Sequence, residues 1–267
     1  MDFKILCSDL DGTLLTFKDN VSDFTIAEIK RIKEHLRVIL VSARMPQSMT
    51  YIQKNLGIEN EPIICYNGAL VLHGTKELFS TFIAMDQIAS IYELANKVGV
   101  QLGLYSKAEW YVEMDSERVQ KEIKYTKTLP TFRATKETIQ DWTDREIGAH
   151  KIMLMGNKEN TDGLFPILQK NYSQTLNLYR SNDTLIEIAP KSVSKLTAIK
   201  LLLQENECLN DVIAFGDNYN DMEMLQNVGR GIAVANAREE VKNIANGLAL
   251  KNSEDGVAQY IKQHIFI

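Results

Sequence analysis

The chain has 267 residues, of which 45% are hydrophobic and 24% are charged, and its formal net charge at pH 7 is −5. This length accommodates one large domain or two modest ones with an adequate core. The acidic balance argues against a nucleic-acid or anionic-membrane surface, since both require basic side chains, and apolar runs fall short of the roughly 20 residues of a membrane helix.

The N-terminus and the cysteines predict a cytoplasmic protein. The apolar segment 3–6 begins at once, without the basic region and small-residue cleavage site of a signal peptide. Cys7, Cys65 and Cys208 are unclustered, which is typical of free thiols in a reducing compartment. We therefore expect no disulfide and no zinc site.

The first part of the chain alternates strands and helices. In order, the predicted elements are a strand at 5–8, a helix at 22–36 with a capping box at Thr25 and Glu28, a strand at 38–41, a helix from Pro46 to Leu56 stopped by Gly57, and a strand at 62–66 that turns at Asn67-Gly68 into a hairpin. This order predicts a Rossmann-like, doubly wound parallel α/β sheet.

The pattern changes near residue 82 and returns after residue 192. Between them lie predicted helices at 86–98 and 160–172 and predicted strands at 100–105, 110–113, 151–155, 175–179 and 185–188. Strands at 211–215, 231–234 and 248–250, with helices between them, then resume the first pattern. We expect a core formed by 1–81 and 187–267, with an inserted α+β domain over 82–186.

Two carboxylates follow the first strand. Extended backbone alternates its faces, so Asp9 and Asp11 can point to the same side, and Gly12 permits a sharp turn after them. Two close carboxylates repel each other and require a cation or a proton. An acidic turn that caps a helix is the alternative, but the preceding apolar strand argues against it.

Three other places carry polar groups after a strand or at a helix start. They are Ser42 with Arg44, Lys195, and the acidic loop that contains Asp217, Asn220 and Asp221. The loops that follow parallel strands meet at one edge of a sheet, so these groups can converge on Asp9 and Asp11. Carboxylates suit Mg²⁺, while lysine, hydroxyl and helix-start amides suit a phosphate. Together they predict phosphoryl chemistry.

Each of these groups also has a structural explanation when it is taken alone. Asp217 would lie in a turn, Asn220-Asp221 would cap a helix, and Lys195 would be a solvated surface residue. Ser42 would be a cap or a buried hydroxyl, and Arg44 would pair with a surface acid. Only the complete set favours a site. Tyr66-Asn67-Gly68 is interpreted as a structural turn, with a site-facing Asn67 as the alternative.

The motifs resemble those of the haloacid dehalogenase (HAD) superfamily of phosphatases, and more narrowly its Cof-type members with a C2B cap. Asp9-Leu10-Asp11-Gly12-Thr13 matches the first motif, and Gly216-Asp217-Asn218-Tyr219-Asn220-Asp221 matches the fourth. Ser42 and Lys195 stand where the second and third motifs have their polar residues. The tail segments 231–237 and 254–258 also resemble the ends of Cof-type chains.

The resemblance implies a role for each motif residue. Asp9 would be the nucleophile that forms an aspartyl-phosphate, and Asp11 would be the general acid and base. The implied Mg²⁺ ligands are Asp9, the main-chain carbonyl of Asp11, and Asp217, with Asp221 as a direct or water-orienting acid. The implied phosphate ligands are Ser42, Lys195, Asn220 and, as a weaker candidate, Arg44.

The expected function is therefore that of a Mg²⁺-dependent phosphoric monoester hydrolase. Its substrates would be small cytosolic esters such as sugar phosphates or nucleotides, with a cap that excludes macromolecules. A phosphomutase of sugar phosphates and a non-catalytic regulatory protein on the same fold are the alternatives. We expect no nucleic-acid or membrane partner, and both a monomer and a homodimer remain open.

Overall fold

The structure is a computed structural model that describes residues 3–17 and 20–266. Its strands are β1 (Ile5–Ser8), β2 (Arg37–Val41), β3 (Ile63–Cys65), β4 (Leu70–His73), β5 (Lys76–Ser80), β6 (Gln101–Ser106), β7 (Glu109–Val112), β8 (Thr131–Phe132), β9 (Lys151–Met155), β10 (Leu176–Asn182), β11 (Leu185–Pro190), β12 (Val212–Gly216), β13 (Arg230–Val234) and β14 (Gly247–Ala249). Its helices are α1 (Asp23–Ile32), α2 (Gln47–Leu56), α3 (Met85–Lys97), α4 (Glu117–Thr126), α5 (Thr135–Asp144), α6 (Lys158–Tyr172), α7 (Lys195–Leu201), α8 (Met222–Asn227), α9 (Glu239–Ile244) and α10 (Gly256–His264).

The chain forms two compact units. One combines Met1–Phe79 with Val193–Ile267, and the other is Ser80–Ser192. Among the described residues, no helix combines the length and apolar character needed to cross a bilayer. The three cysteines are free, as predicted, with Cys7 and Cys65 buried and Cys208 exposed.

The first unit is built on an eight-stranded sheet with the order β14-β13-β12-β1-β2-β3-β4-β5. The strands from β14 to β3 run parallel, whereas β4 returns antiparallel to β3. This confirms the predicted α/β class with a parallel-dominated sheet. Every residue of β1 and β12 is buried, which explains why these strands are continuous apolar runs rather than alternating ones.

Strand β1 lies at the centre of this sheet, with β12 on one side and β2 on the other. Ser8 is in register with Phe215 of β12 and with Leu40 of β2. The three strands therefore end side by side, and the loops that begin at Asp9, Ser42 and Asp217 leave from the same edge.

Two details of the first unit differ from the sequence-based expectation. Ser22, not Thr25, caps α1, because the Ser22 side chain accepts a hydrogen bond from the backbone N–H of Thr25 at 3.0 Å. The expected capping box therefore begins three residues too late, and α1 ends at Ile32 rather than at 36. Strand β5 was not predicted, since its mostly exposed residues lack an apolar alternation.

The second unit contains a six-stranded sheet with the order β10-β11-β9-β6-β7-β8. Helices α3, α5 and α6 contribute Ile88, Trp142 and Leu164 to its core, where they pack with Leu104 and Ile152 of the sheet. Such a cluster gives the inserted segment a hydrophobic core of its own.

The second unit extends beyond the expected limit at residue 186. Strand β11 pairs with β9 and continues along β10 as far as the register pair Leu176 and Pro190. A boundary at 186/187 would cut this strand, and the unit instead ends at Ser192. The apolar pattern marked the strand correctly but not its last residues.

Candidate active site

Asp9 is the first residue after the central strand and lies almost completely buried, with 5% of its surface exposed. Its backbone N–H donates to the carbonyl oxygen of Phe215 at 3.0 Å, which continues the β1–β12 ladder by one residue. Its own carbonyl accepts from the Ser8 hydroxyl at 2.8 Å. The backbone position of Asp9 is therefore fixed by the sheet.

Gly12 allows the loop after Asp9 to pass close to the side chain of Asp217. Its φ is +83°, and a Cβ at this position would lie 2.6 Å from Oδ2 of Asp217. Any other residue would be strained and would clash with that carboxylate. Thr13, the next residue, donates its hydroxyl to Oδ1 of Asp217 at 3.3 Å.

Lys195 connects two carboxylates at the start of α7. Its Nζ donates to Oδ1 of Asp9 and to Oδ1 of Asp221, each at 2.6 Å, and its side chain is fully buried. The Ser194 side chain caps α7 by accepting from the backbone N–H of Thr197. The alternative interpretation of Lys195 as a solvated surface residue is thereby excluded.

Asp221 shapes the loop that follows β12. Its Oδ2 accepts from the backbone N–H groups of Asp217 and Asn218, both at 3.0 Å, while its Oδ1 accepts from Lys195. Asp221 is fully buried. Because both carboxylate oxygens already accept hydrogen bonds from the protein, Asp221 holds the loop and the lysine in place.

The acidic residues of the site strongly affect one another's protonation. Burial raises the pKa of Asp9 well above its ordinary value; Lys195 opposes this shift, while Asp221 and Asp217 reinforce it. Burial, assisted by Asp221, also raises the pKa of Asp217 to about 7. Burial alone would lower the pKa of Lys195, but Asp221 and Asp9 outweigh it and raise that pKa. Ionisation of all three acids is therefore unfavourable in the absence of further positive charge.

This charge and these donors fit a hard divalent cation. Asp9, Asp217 and Asp221 each offer a carboxylate oxygen, and the three oxygens lie within 4.8 Å of one another. Three carboxylates with one ammonium group leave two net negative charges when all are ionised. Oxygen ligands of this kind are those that Mg²⁺ prefers.

The carboxylate of Asp11 points elsewhere. Nε and Nη2 of Arg44 donate to its two oxygens at 2.7 Å each, which makes a bidentate ion pair. Arg44 is buried, whereas about half of the Asp11 side chain is exposed. Asp11 thus stands beside the acidic cluster with the orientation of its carboxylate set by Arg44.

Ser42 and Asn220 complete the set of predicted residues. Oγ of the buried Ser42 accepts from the backbone N–H of Arg44 at 3.2 Å, so its hydroxyl hydrogen can point elsewhere. Nδ2 of Asn220 donates to Oδ1 of Asn67 at 2.9 Å. All eight predicted site residues belong to the first unit; seven lie on the loops that follow β1, β2 and β12, and Lys195 begins α7.

Some supporting residues were not among the predicted site residues. Nδ2 of Asn236 donates to the carbonyl of Gly12 at 2.7 Å, and Oδ1 of Asn236 accepts from the backbone N–H of Asn252 at 2.8 Å. Asn236, which lies in the tail segment 231–237 that resembled a Cof-type chain end, therefore braces the loop after Asp9. That resemblance was the available signal, and a pattern of residue types alone gives none.

If the acidic cluster binds Mg²⁺, the raised pKa of Asp217 predicts a pH-dependent effect of Mg²⁺ on the stability of the protein. Its shift from 3.8 to about 7 means that the folded chain keeps a proton that the unfolded chain has released over this interval. The contribution of Asp217 to the stability of the metal-free protein therefore falls as pH rises from about 4 to 7, and a metal ion bound at Asp217 must displace that proton at low pH. We expect Mg²⁺ to raise Tm more at about pH 8 than at about pH 5, measured against EDTA by calorimetry. Equal shifts at both pH values would contradict the assignment, and Asp217→Asn should reduce the shift at the higher pH.

Comparison with known proteins places the chain among hydrolases. Residues 6–261 match the profile of a family described as haloacid dehalogenase-like hydrolase. A putative phosphatase of Haemophilus influenzae is 31% identical over 98% of both chains. A Bacillus subtilis protein named 5-amino-6-(5-phospho-D-ribitylamino)uracil phosphatase is 26% identical over 97% of both. The crystal structure of a haloacid dehalogenase-like hydrolase from Bacteroides thetaiotaomicron superimposes with a TM-score of 0.89 at 27% identity, covering 99% of this chain and 100% of that one.

Proposed function

The chain belongs to the haloacid dehalogenase-like hydrolase family and is a phosphatase of small phosphorylated molecules, and we propose that it works with Mg²⁺ through an aspartyl-phosphate on Asp9. The observation that carries this proposal is the buried contact of Lys195 with Asp9 and Asp221 beside Asp217. A carboxylate is a poor nucleophile toward an anion unless positive charge surrounds it. Lys195 supplies part of that charge at the Asp9 carboxylate.

The proposed reaction has two steps. In the first, a carboxylate oxygen of Asp9 bonds to phosphorus while the bond from phosphorus to the ester oxygen breaks, and Asp11 gives its proton to that oxygen. In the second, water attacks phosphorus, Asp11 takes a proton from the water, and the bond to Asp9 breaks. Inorganic phosphate leaves and both aspartates return to their starting states.

Asp9, Asp217 and the main-chain carbonyl of Asp11 are the residues that we propose to hold Mg²⁺, with Asp221 as a further acid that orients the loop. When bound, Mg²⁺ supplies positive charge that offsets the repulsion between carboxylates and the phosphoryl oxygens. The raised pKa values of Asp9 and Asp217 support this assignment, because they show how unfavourable the negative charge is without such a cation.

The phosphate ligands follow from the available donors. We assign Ser42, Lys195 and Asn220 to the phosphoryl oxygens, since each has a donor group at this edge of the sheet. Arg44 was the weaker candidate for that role. Its bidentate pair with Asp11 favours a different one, in which Arg44 orients the acid and base.

Sugar phosphates, nucleotides and related small metabolites are the substrate class that we propose. One similar protein is named for the phosphate ester of a ribityl-substituted uracil, which is a small polar molecule of this kind. We further propose that the second unit, Ser80–Ser192, is the inserted C2B-type cap of the family. Its separate core and its sheet, in which every pairing except that of β7 with β8 is antiparallel, support that identification.

Phosphate release from a panel of sugar phosphates, nucleotides and cofactor phosphates tests the function. We expect release from at least one group of substrates with Mg²⁺, and loss of at least about a hundredfold in kcat/KM after EDTA treatment, restored by added Mg²⁺. No release from any member would contradict a phosphatase. Conversion of a sugar phosphate into its isomer without net release of phosphate would instead indicate a phosphomutase.

A further inference from the structure

The turn between β3 and β4 has an unusual backbone. Tyr66, Asn67 and Gly68 follow one another with φ values of +52°, +56° and +104°. Left-handed backbone is uncommon for residues other than glycine, and a buried tyrosine in it is strained. A simple hairpin between antiparallel strands does not need three such residues in succession. The surrounding structure must hold this turn in place.

Two parts of the active-site region hold the backbone of the turn. The backbone N–H of Tyr66 donates to the carbonyl of Arg44 at 3.1 Å, and that of Asn67 donates to the carbonyl of Ser42 at 2.9 Å. Gly68 packs against the start of α7, where a Cβ would lie 2.4 Å from the carbonyl oxygen of Ser194. The turn is thus locked between the Ser42 loop and the helix that carries Lys195.

The Asn67 side chain reaches the loop that follows β12. Its Oδ1 accepts from Nδ2 of Asn220 at 2.9 Å, across 153 positions of sequence. A carboxamide has a donor end and an acceptor end, and its orientation is set by its partners. Asn67 accepts a hydrogen bond from one of the two N–H groups of the Asn220 carboxamide. This contact fixes the orientation of that carboxamide and leaves its second N–H available. Rotation of Asn220 would present an acceptor oxygen instead.

We propose that Asn67 is a positioning residue that orients the Asn220 carboxamide so that an N–H points to the phosphoryl group. This inference rests on the proposed function, in which Asn220 is a phosphate ligand. The strained turn keeps Asn67 at the distance that this contact requires. Without Asn67, the carbonyl oxygen of Asn220 can face a phosphate oxygen, and two acceptors repel each other.

Asn67→Gly tests the side chain without disturbing the backbone, because glycine adopts a φ of +56° without strain. We expect the Kd for inorganic phosphate, measured by calorimetry on the Mg²⁺-loaded enzyme, to rise about three- to tenfold, the effect of one lost hydrogen bond. We expect KM to rise by a similar factor while Tm stays the same or increases. A turn with only a structural role would leave the phosphate Kd unchanged.

A double-mutant cycle shows whether Asn67 acts through Asn220. If it does, Asn220→Ala weakens phosphate binding and the added Asn67→Gly substitution changes little, because the amide to be oriented is already gone. Losses that multiply in the double variant would overturn the inference. So would an unchanged phosphate Kd in Asn67→Gly.

Glu146→Gly is the matched control, since Glu146 is exposed in the second unit and has a φ of +53°. It should leave the phosphate Kd and KM unchanged. A wild-type enzyme that neither binds phosphate nor releases it from esters would overturn the proposed function and this inference with it. Normal wild-type behaviour with an unaffected Asn67→Gly variant would overturn the inference alone.

Discussion

Asp9→Asn is expected to lower kcat/KM by about four orders of magnitude or more, the loss that follows removal of a covalent nucleophile. The amide of Asn is neutral and does not attack phosphorus. The substitution also removes one of the two carboxylates that Lys195 contacts. Steady-state phosphate release from the best substrate of the panel measures the effect.

Loss of folding does not explain this expected result. Because burial raises the pKa of Asp9, its ionised form is unfavourable in the metal-free protein, and Asn should leave Tm unchanged or higher. Asp86→Asn is the matched control, since Asp86 is an exposed acid in the first turn of α3. Its kcat/KM should equal that of the wild type. Substantial turnover by Asp9→Asn would remove the nucleophile assignment.

Lys195→Met is expected to reduce the free energy of unfolding by about 3–5 kcal/mol and to eliminate activity. Methionine retains most of the length of the side chain but leaves Asp9 and Asp221 buried without their common counterion. Urea unfolding of the metal-free protein measures the stability. Lys200→Met on the same helix is the control, because Lys200 is exposed and should change stability little.

Adding Asp221→Asn to Lys195→Met shows whether the loss of stability comes from unpaired charges or from packing. Removing one negative charge along with the positive one should recover part of the stability that Lys195→Met loses, so the two substitutions should not be additive. Additive losses would indicate that packing, rather than the ion pairs, accounts for the effect of Lys195→Met. Activity should stay absent in both variants.

The sequence was sufficient to predict the buried parallel strands and the edge of the sheet at which their loops meet. Strands β1, β2 and β12 are buried on both faces, so their residues form continuous apolar runs that are easily recognised. Parallel strands end at a common edge, which made the meeting of Asp9, Ser42 and Asp217 predictable although the residues are far apart in the chain.

The contacts within the site depend on packing that the sequence does not express. Residue spacing does not show that Arg44 forms an ion pair with Asp11 or that Lys195 bridges two acids. It also does not show the hydrogen bond between Asn67 and Asn220. These pairings arise from the register of different strands and from the rotamers that fit between them. The same holds for β5 and for the last residues of β11, whose pairing partners, rather than their own composition, make them strands.

The central position of β1 has a consequence for folding during translation. Ile5 pairs with Val212, so the strand that carries Asp9 is translated long before its neighbour β12. Until then one edge of an apolar strand stays unpaired, a state open to aggregation. Contacts so distant in sequence also slow folding. We therefore expect the nascent chain to depend on protection of this edge, and the active site to form only after β12 has been translated.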